Sequence, residues 1–198
     1  MDVSLRCRCG QLTGHLASPH RAARAICYCR DCQGFARFLG QPEAILNGFG
    51  GTDIVATCPR FVHFSNGQAQ LRCMSLSPNG LLRWYAGCCR TPIGNTPRDP
   101  KVSYVGLVST CLGASPGELD AEFGPAKVAI NTASASGPVA STPLASFAGV
   151  IKIIGNVLGS RLSGKYRDNP FFRPGSAESI AVPQVLALAE RRSLRGDA

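Results

Sequence analysis

The chain of 198 residues is 44% hydrophobic and 17% charged, with a net charge of +9 at pH 7. That is the composition of a globular protein, long enough to bury a core and most simply divided into one domain and an extension. The positive excess suits an anionic partner, but no dense Lys/Arg run and no basic strand interleaved with aromatics marks a nucleic-acid binder.

Residues 3–16 read as a strand or hairpin interrupted by Cys7-Arg8-Cys9-Gly10, where Gly10 fits a tight knuckle whose N–H groups point back at sulfur. The stretch Pro19 to Ile26 leads into Cys27-Tyr28-Cys29-Arg30-Asp31-Cys32, and Gln33 to Gly40 follows as a short helix or turn with Phe35, Phe38 and Leu39 on one face. Short strands are predicted next, at Ala44–Leu46, Thr52–Thr57 and Phe61–Phe64, with Asn66-Gly67 as a hairpin turn. Gln70–Leu76 and Leu81–Ala86 form a second predicted hairpin around Ser77-Pro78-Asn79-Gly80, which delivers Cys88-Cys89-Arg90-Thr91-Pro92. A last strand at Val102–Ser109 closes the sheet.

Composition changes after about residue 132. Ala133 to Pro143 is rich in Ala, Ser, Gly and Pro and reads as a linker. Residues 144–162 are apolar in long stretches but carry Lys152, Asn156, Arg161 and several glycines. A span needs roughly twenty predominantly apolar residues, so this stretch is expected to dock as an amphipathic helix, with membrane contact the lesser alternative. Residues 165–175 read as a loop carrying the aromatic pair Phe171 and Phe172, and Pro183 as the start of a final short helix through Val185, Leu186, Leu188 and Ala189. The division is thus 1–132 for the domain and 133–198 for the extension.

The ten cysteines carry the chemistry. No apolar signal-peptide run occupies the first residues, which predicts a reducing, cytoplasmic setting where clustered cysteines hold metal rather than disulfides. Three thiols between Cys27 and Cys32 can reach one point only around a tight turn, and a zinc ion with three protein ligands keeps a fourth position for chemistry. Cys27, Cys29 and Cys32 are therefore expected to build an open site, and Cys7, Cys9 and Cys89 a closed, structural one.

The order CxCG, then CxCxxC, then a late Cys followed by Thr-Pro after a β-rich middle resembles the glutathione-dependent formaldehyde-activating enzyme family, which includes centromere protein V. The likeness spans about residues 5–112. It implies a mainly β, Mss4-like β-tent domain, here with a C-terminal helical extension, and two zinc ions. It also implies a carbon–sulfur lyase activity that joins formaldehyde to glutathione. Cys7, Cys9 and Cys89 fall on structural ligands, and Cys27, Cys29 and Cys32 on the proposed active site. The late motif departs from the family's CxxCG: it reads Ala86-Gly87-Cys88-Cys89-Arg90. Adjacent cysteines in an extended chain point to opposite sides, so Cys88 can join Cys89 only if the backbone kinks. Cys73 is its rival as fourth ligand, and the remaining alternative is a structural site left incomplete.

Three thiolates on zinc leave a net charge of −1, which suits holding a thiol better than activating water. Arg30 and Arg37, flanking the motif, are candidates to offset charge or grip the carboxylates of a glutathione-like substrate. Asp31 reads as a cap for backbone N–H groups before a general base. His15, His20 and His63 lack ligand spacing, and Cys58 and Cys111 read as small buried hydrophobes. The competing readings are a zinc-stabilised binding module without catalysis and, last, a redox disulfide switch.

Overall fold

The computed structural model describes residues 2–113, 115–126, 128–140 and 142–196. It is mainly β, with two sheets and a few helices. In chain order the elements are β1 (Val3–Arg6), β2 (Thr13–Leu16), β3 (Ala23–Cys27), α1 (Arg30–Phe38), α2 (Pro42–Ile45), β4 (Thr52–Thr57), β5 (Val62–Asn66) and β6 (Leu71–Ser75). There follow β7 (Leu82–Ala86), β8 (Pro92–Thr96), β9 (Val105–Val108), α3 (Pro116–Phe123), β10 (Ala129–Ile130), α4 (Pro143–Leu162), β11 (Gln184–Val185) and α5 (Leu188–Arg195).

A three-stranded sheet runs β1-β2-β5, and an eight-stranded sheet runs β10-β3-β4-β9-β8-β7-β6-β11. Sequence periodicity explains the first hairpin: Val3 and Leu5 point inward while Ser4 and Arg6 face solvent, and Val3 pairs with Leu16 through to Arg6 with Thr13. The main core lies between the sheets. It gathers Leu5, Leu12, Leu16, Val55, Val62, Leu107 and Trp84, all buried. The Trp84 indole N–H satisfies itself on Thr96 Oγ1 at 3.0 Å, as a buried polar tip must.

Several expectations meet a different structure. Ala44–Leu46 is not a strand: Pro42 opens the short helix α2, and only Leu46 bridges to Thr52. Asn66-Gly67 does not turn a hairpin, because β5 pairs with β2 in the small sheet while the chain crosses to start β6 in the large one. Gly67 is still required there: at φ +71 its missing Cβ would meet Gln11 O at 1.9 Å. The predicted last strand is central rather than terminal, since β9 lies between β4 and β8. Strand β8, Pro-Ile-Gly-Asn-Thr, was hidden by its Pro and Gly, which are depleted in strands. Pro183 leads into β11, and the final helix begins only at Leu188.

The residues after 132 belong to the same packed body. Phe171 is fully buried against Trp84 (ring centroids 5.1 Å apart) and Phe64 (5.7 Å). Helix α4 packs on β3 and β4. Asn156 of α4 donates to Arg21 O at 3.1 Å, Ser160 is buried against Cys58, and Ile151, Ile154, Leu158 and Leu162 remain exposed. Among the described residues no helix is long and apolar enough to cross a membrane.

Candidate metal centre

Two groups of cysteines converge, and among the described residues they are the two places where three or more potential metal ligands meet. The first joins two turns that lie far apart in the sequence. Cys7 and Cys9 lie in the loop between β1 and β2, and Cys88 and Cys89 lie in the turn between β7 and β8. Their sulfurs are 3.5 Å (Cys7–Cys9), 3.7 Å (Cys7–Cys88), 3.3 Å (Cys9–Cys88) and 3.9 Å (Cys88–Cys89) apart. Disulfide bonding needs about 2.05 Å, and all ten cysteines are free. A tetrahedron with metal–sulfur bonds of about 2.3 Å has edges of about 3.8 Å. The four separations lie near that figure, and all four sulfurs are within 4.8 Å of one another.

The backbone arranges this with two left-handed residues. Gly10, at φ +77, lets the chain double back so that Gly10 N donates to Cys7 O at 3.0 Å and Leu12 N donates to Cys7 Sγ at 3.3 Å. Arg90, at φ +57, closes the second turn: its N–H reaches Ala86 O at 2.7 Å, which curls Gly87–Cys89 instead of leaving them extended. This curl is why neighbouring Cys88 and Cys89 face the same point. A left-handed non-glycine costs about 1–2 kcal/mol. Here the Arg90 guanidinium donates to Phe38 O and lies 5.3 Å from the centre of the Phe38 ring. Burial and the three neighbouring thiols push the Cys88 thiol up. Burial raises Cys89 as well, but the Thr91 hydroxyl at 3.1 Å and main-chain N–H groups of Cys9 and Thr91 bring it down to about 6. Cys73, the rival fourth ligand, stays out of the group, buried on β6 with its thiol on Met74 O.

The second group, Cys27, Cys29 and Cys32, is assembled locally at the end of β3 and the start of α1. Cys29 is the N-cap of α1, and its sulfur accepts the Cys32 N–H at 3.4 Å. A thiolate there is stabilised by the exposed amides and positive dipole end of the helix. The neighbouring Cys27 and Cys32 thiols bring Cys29 down, while Cys32, held by Cys27 and Cys29 and by burial, is pushed up. Thiols crowded this closely hold their protons unequally.

Two further groups touch this cluster from distant parts of the chain, and a third, Tyr104, lies near it. Arg83 on β7 is almost wholly buried, donates to Cys32 Sγ at 3.8 Å, lies 4.0 Å from Asp31 Oδ2 and has its guanidinium carbon 5.5 Å from the centre of the Phe35 ring. Asn131, just past β10, donates its amide to Cys27 Sγ at 3.4 Å. Burial, together with the adjacent Cys27 and Cys32, pushes Tyr104 up to about 12, so its hydroxyl keeps its proton. Gly106 makes room for that hydroxyl, since a Cβ there would lie 2.8 Å from it.

Of the arginines predicted from sequence, Arg37 is exposed and reaches away from the thiols, to Leu194 O at 2.6 Å and Gln33 Oε1 at 3.4 Å. Arg30 is exposed in the first turn of α1. The cation against the sulfurs is Arg83, which sequence reasoning missed because nothing in its own strand marks it. Asp31 is paired with Arg195 (3.3 Å) and Arg83, and the cap it was expected to supply comes from the Cys29 sulfur. His15 and His63 stack on each other at 4.8 Å and join neither cluster. Cys58 and Cys111 are buried small groups, as predicted.

A family profile described as a family of unknown function, DUF6151, matches residues 1–181. The chain belongs to that family. Both cysteine clusters, together with Arg83, Asn131 and Tyr104, fall within the matched DUF6151 region. No curated protein matches the chain. A crystal structure of a Rhodobacter sphaeroides protein is similar at 17% identity and a TM-score of 0.39, over 59% of this chain and 94% of that one.

Proposed function

We propose that this protein carries two cysteine-bound zinc ions and acts as a carbon–sulfur lyase on the thiol adduct of formaldehyde or another small electrophile. The observation that supports this is the unequal completeness of the two clusters. Four sulfurs within 4.8 Å of one another can supply every ligand of a closed, structural zinc at Cys7/Cys9/Cys88/Cys89, whereas Cys27, Cys29 and Cys32 would leave a fourth position open. We read the fold as the Mss4-like β-tent of the formaldehyde-activating family, on the order of the three cysteine motifs.

When bound at the three-sulfur site, zinc supplies a position that holds an incoming thiol in its nucleophilic form. The chain does the rest. Arg83 and the Asn131 amide donate to the cysteine sulfurs and offset the negative charge that gathers as another sulfur arrives. In the synthetic direction the substrate sulfur bonds to the carbonyl carbon, the carbonyl π pair moves to oxygen, and the thiol proton ends on that oxygen. In reverse the carbon–sulfur bond breaks and the proton returns to sulfur. The Tyr104 O–H serves as the donor toward the developing oxygen anion.

Metal analysis combined with calorimetric thiol titration tests this reading. Wild type should hold two equivalents of zinc and bind a thiol, and Cys29→Ala should keep about one equivalent and lose thiol binding. Two equivalents with no heat from any thiol would leave a zinc-stabilised binding module instead.

A further inference from the structure

Beside the three-cysteine cluster lies a cavity of about 190 Å³, lined by Ala23, Ala25, Ile54, Ala56, Tyr104, Val128 and Ile130 from the sheet side, by Arg24, and by Ile153 and Ile154 of α4. It is contiguous with the cluster. Ala25, Ile54 and Ile130 line it and also pack against Cys27, Cys29 and Cys32. Strand geometry requires this, because Ala23, Ala25 and Cys27 alternate onto one face of β3, and Ile54 and Ile130 stand opposite Ala25 and Cys27 on the adjoining strands.

The walls are almost entirely apolar, and the charge they contain is already used. Arg24 bonds Asp53 at 2.8 Å and Asp120 at 2.6 Å, with its side chain only 6% exposed. Glutathione would bring two carboxylates and two amides to this wall, where they would find few partners, and unpaired polar groups are costly to bury. An aromatic or alkyl group fits both the chemistry and the size: a dry cavity of about 150 Å³ holds benzene.

Building on the thiol-handling reading above, we propose that this cavity receives the apolar body of the substrate, so that the three-cysteine site selects an aromatic or alkyl thiol over a peptide thiol such as glutathione. The roof is α4, whose Ile153 and Ile154 close the cavity from the solvent side. The C-terminal half of the chain thereby sets specificity for a site whose ligands lie in the N-terminal part.

The test titrates zinc-loaded full-length protein with phenylmethanethiol, with glutathione and with phenylmethanol, which has the ring but no thiol. Burial of the ring should make phenylmethanethiol bind about tenfold or more tightly than glutathione. Phenylmethanol should bind weakly and compete with phenylmethanethiol. Ala23→Leu, which fills the cavity from β3, should abolish the preference at unchanged zinc content. Ile154→Trp fills it from a half-exposed position on the roof, and decides the matter if Ala23→Leu fails to fold. Equal or tighter glutathione binding, or a preference that survives Ile154→Trp, overturns the assignment of the cavity. Phenylmethanol binding without binding of either thiol overturns the thiol reading itself, and this proposal with it, while leaving the cavity as a ligand site.

Discussion

Replacing Arg83 by methionine removes the buried cation next to Cys27, Cys29 and Cys32 while keeping much of the side chain's length. Its guanidinium is 3.8 Å from Cys32 Sγ and 4.0 Å from Asp31 Oδ2. At an effective dielectric of about 20, unit charges at that separation attract by about 4 kcal/mol. Much of this is offset by the several kcal/mol needed to bury the guanidinium in the first place. The net effect on the metal should resemble loss of a partner that orients a ligand, a drop of about 10- to 100-fold in affinity. Competition with a chromogenic chelator measures both sites in one titration. The Cys7/Cys9/Cys88/Cys89 site, built without Arg83, should hold its zinc as wild type does. Arg83→Lys should fall between, because an ammonium keeps the charge but not the planar contact with Phe35. Unchanged affinity at the three-sulfur site in Arg83→Met would refute the reasoning. So would an equal loss at both sites, which would mean general destabilisation.

Cys88→Ser should empty the four-sulfur site or weaken it severely while zinc at Cys27/Cys29/Cys32 stays bound; two tightly held equivalents in this variant would remove Cys88 from the ligand set. Phe171→Ala deletes a fully buried ring packed on Trp84 and should cost about 3–5 kcal/mol, read in a chemical denaturation curve. Unaltered stability there would show that the segment after residue 132 folds apart from the sheet. Gly10→Ala has no neighbour to clash with, so its cost is backbone strain at φ +77, about 1–2 kcal/mol, visible as a lower melting temperature of zinc-loaded protein.

How far the sequence discloses this site depends on how far apart its parts lie. Cys27, Cys29 and Cys32 were legible because one strand end and one helix start bring them together within six residues. Cys88 was ambiguous for a physical reason: side-chain direction follows backbone conformation, and nothing in Cys88-Cys89-Arg90 announces that arginine adopts the left-handed conformation in which glycine is usual. Arg83 and Asn131 were invisible, since each comes to the cluster from a part of the chain distant in sequence, Arg83 from β7 and Asn131 from just past β10. The aromatic pair near residue 171 looked like loop decoration, because a short irregular segment has no periodicity to betray a buried face. The β character of the middle was readable from its short apolar runs. Which strands pair was not, as the crossing after Asn66-Gly67 shows.

The order of the large sheet has a further consequence for how the molecule comes into being. Its two outermost strands, β10 and β11, are each only two residues long, and both pair in parallel, with β3 and β6. Both come late in the chain. Until residues 129–130 and 184–185 have been added, β3 and β6 are raw edges with unpaired main-chain groups, the kind of surface that recruits other strands. Asn131, which donates to Cys27, arrives with the first of these seals. A nascent chain therefore carries its open cysteine site and the raw edge of β3 through the same interval of synthesis and closes them together, while the edge of β6 waits for residues 184–185.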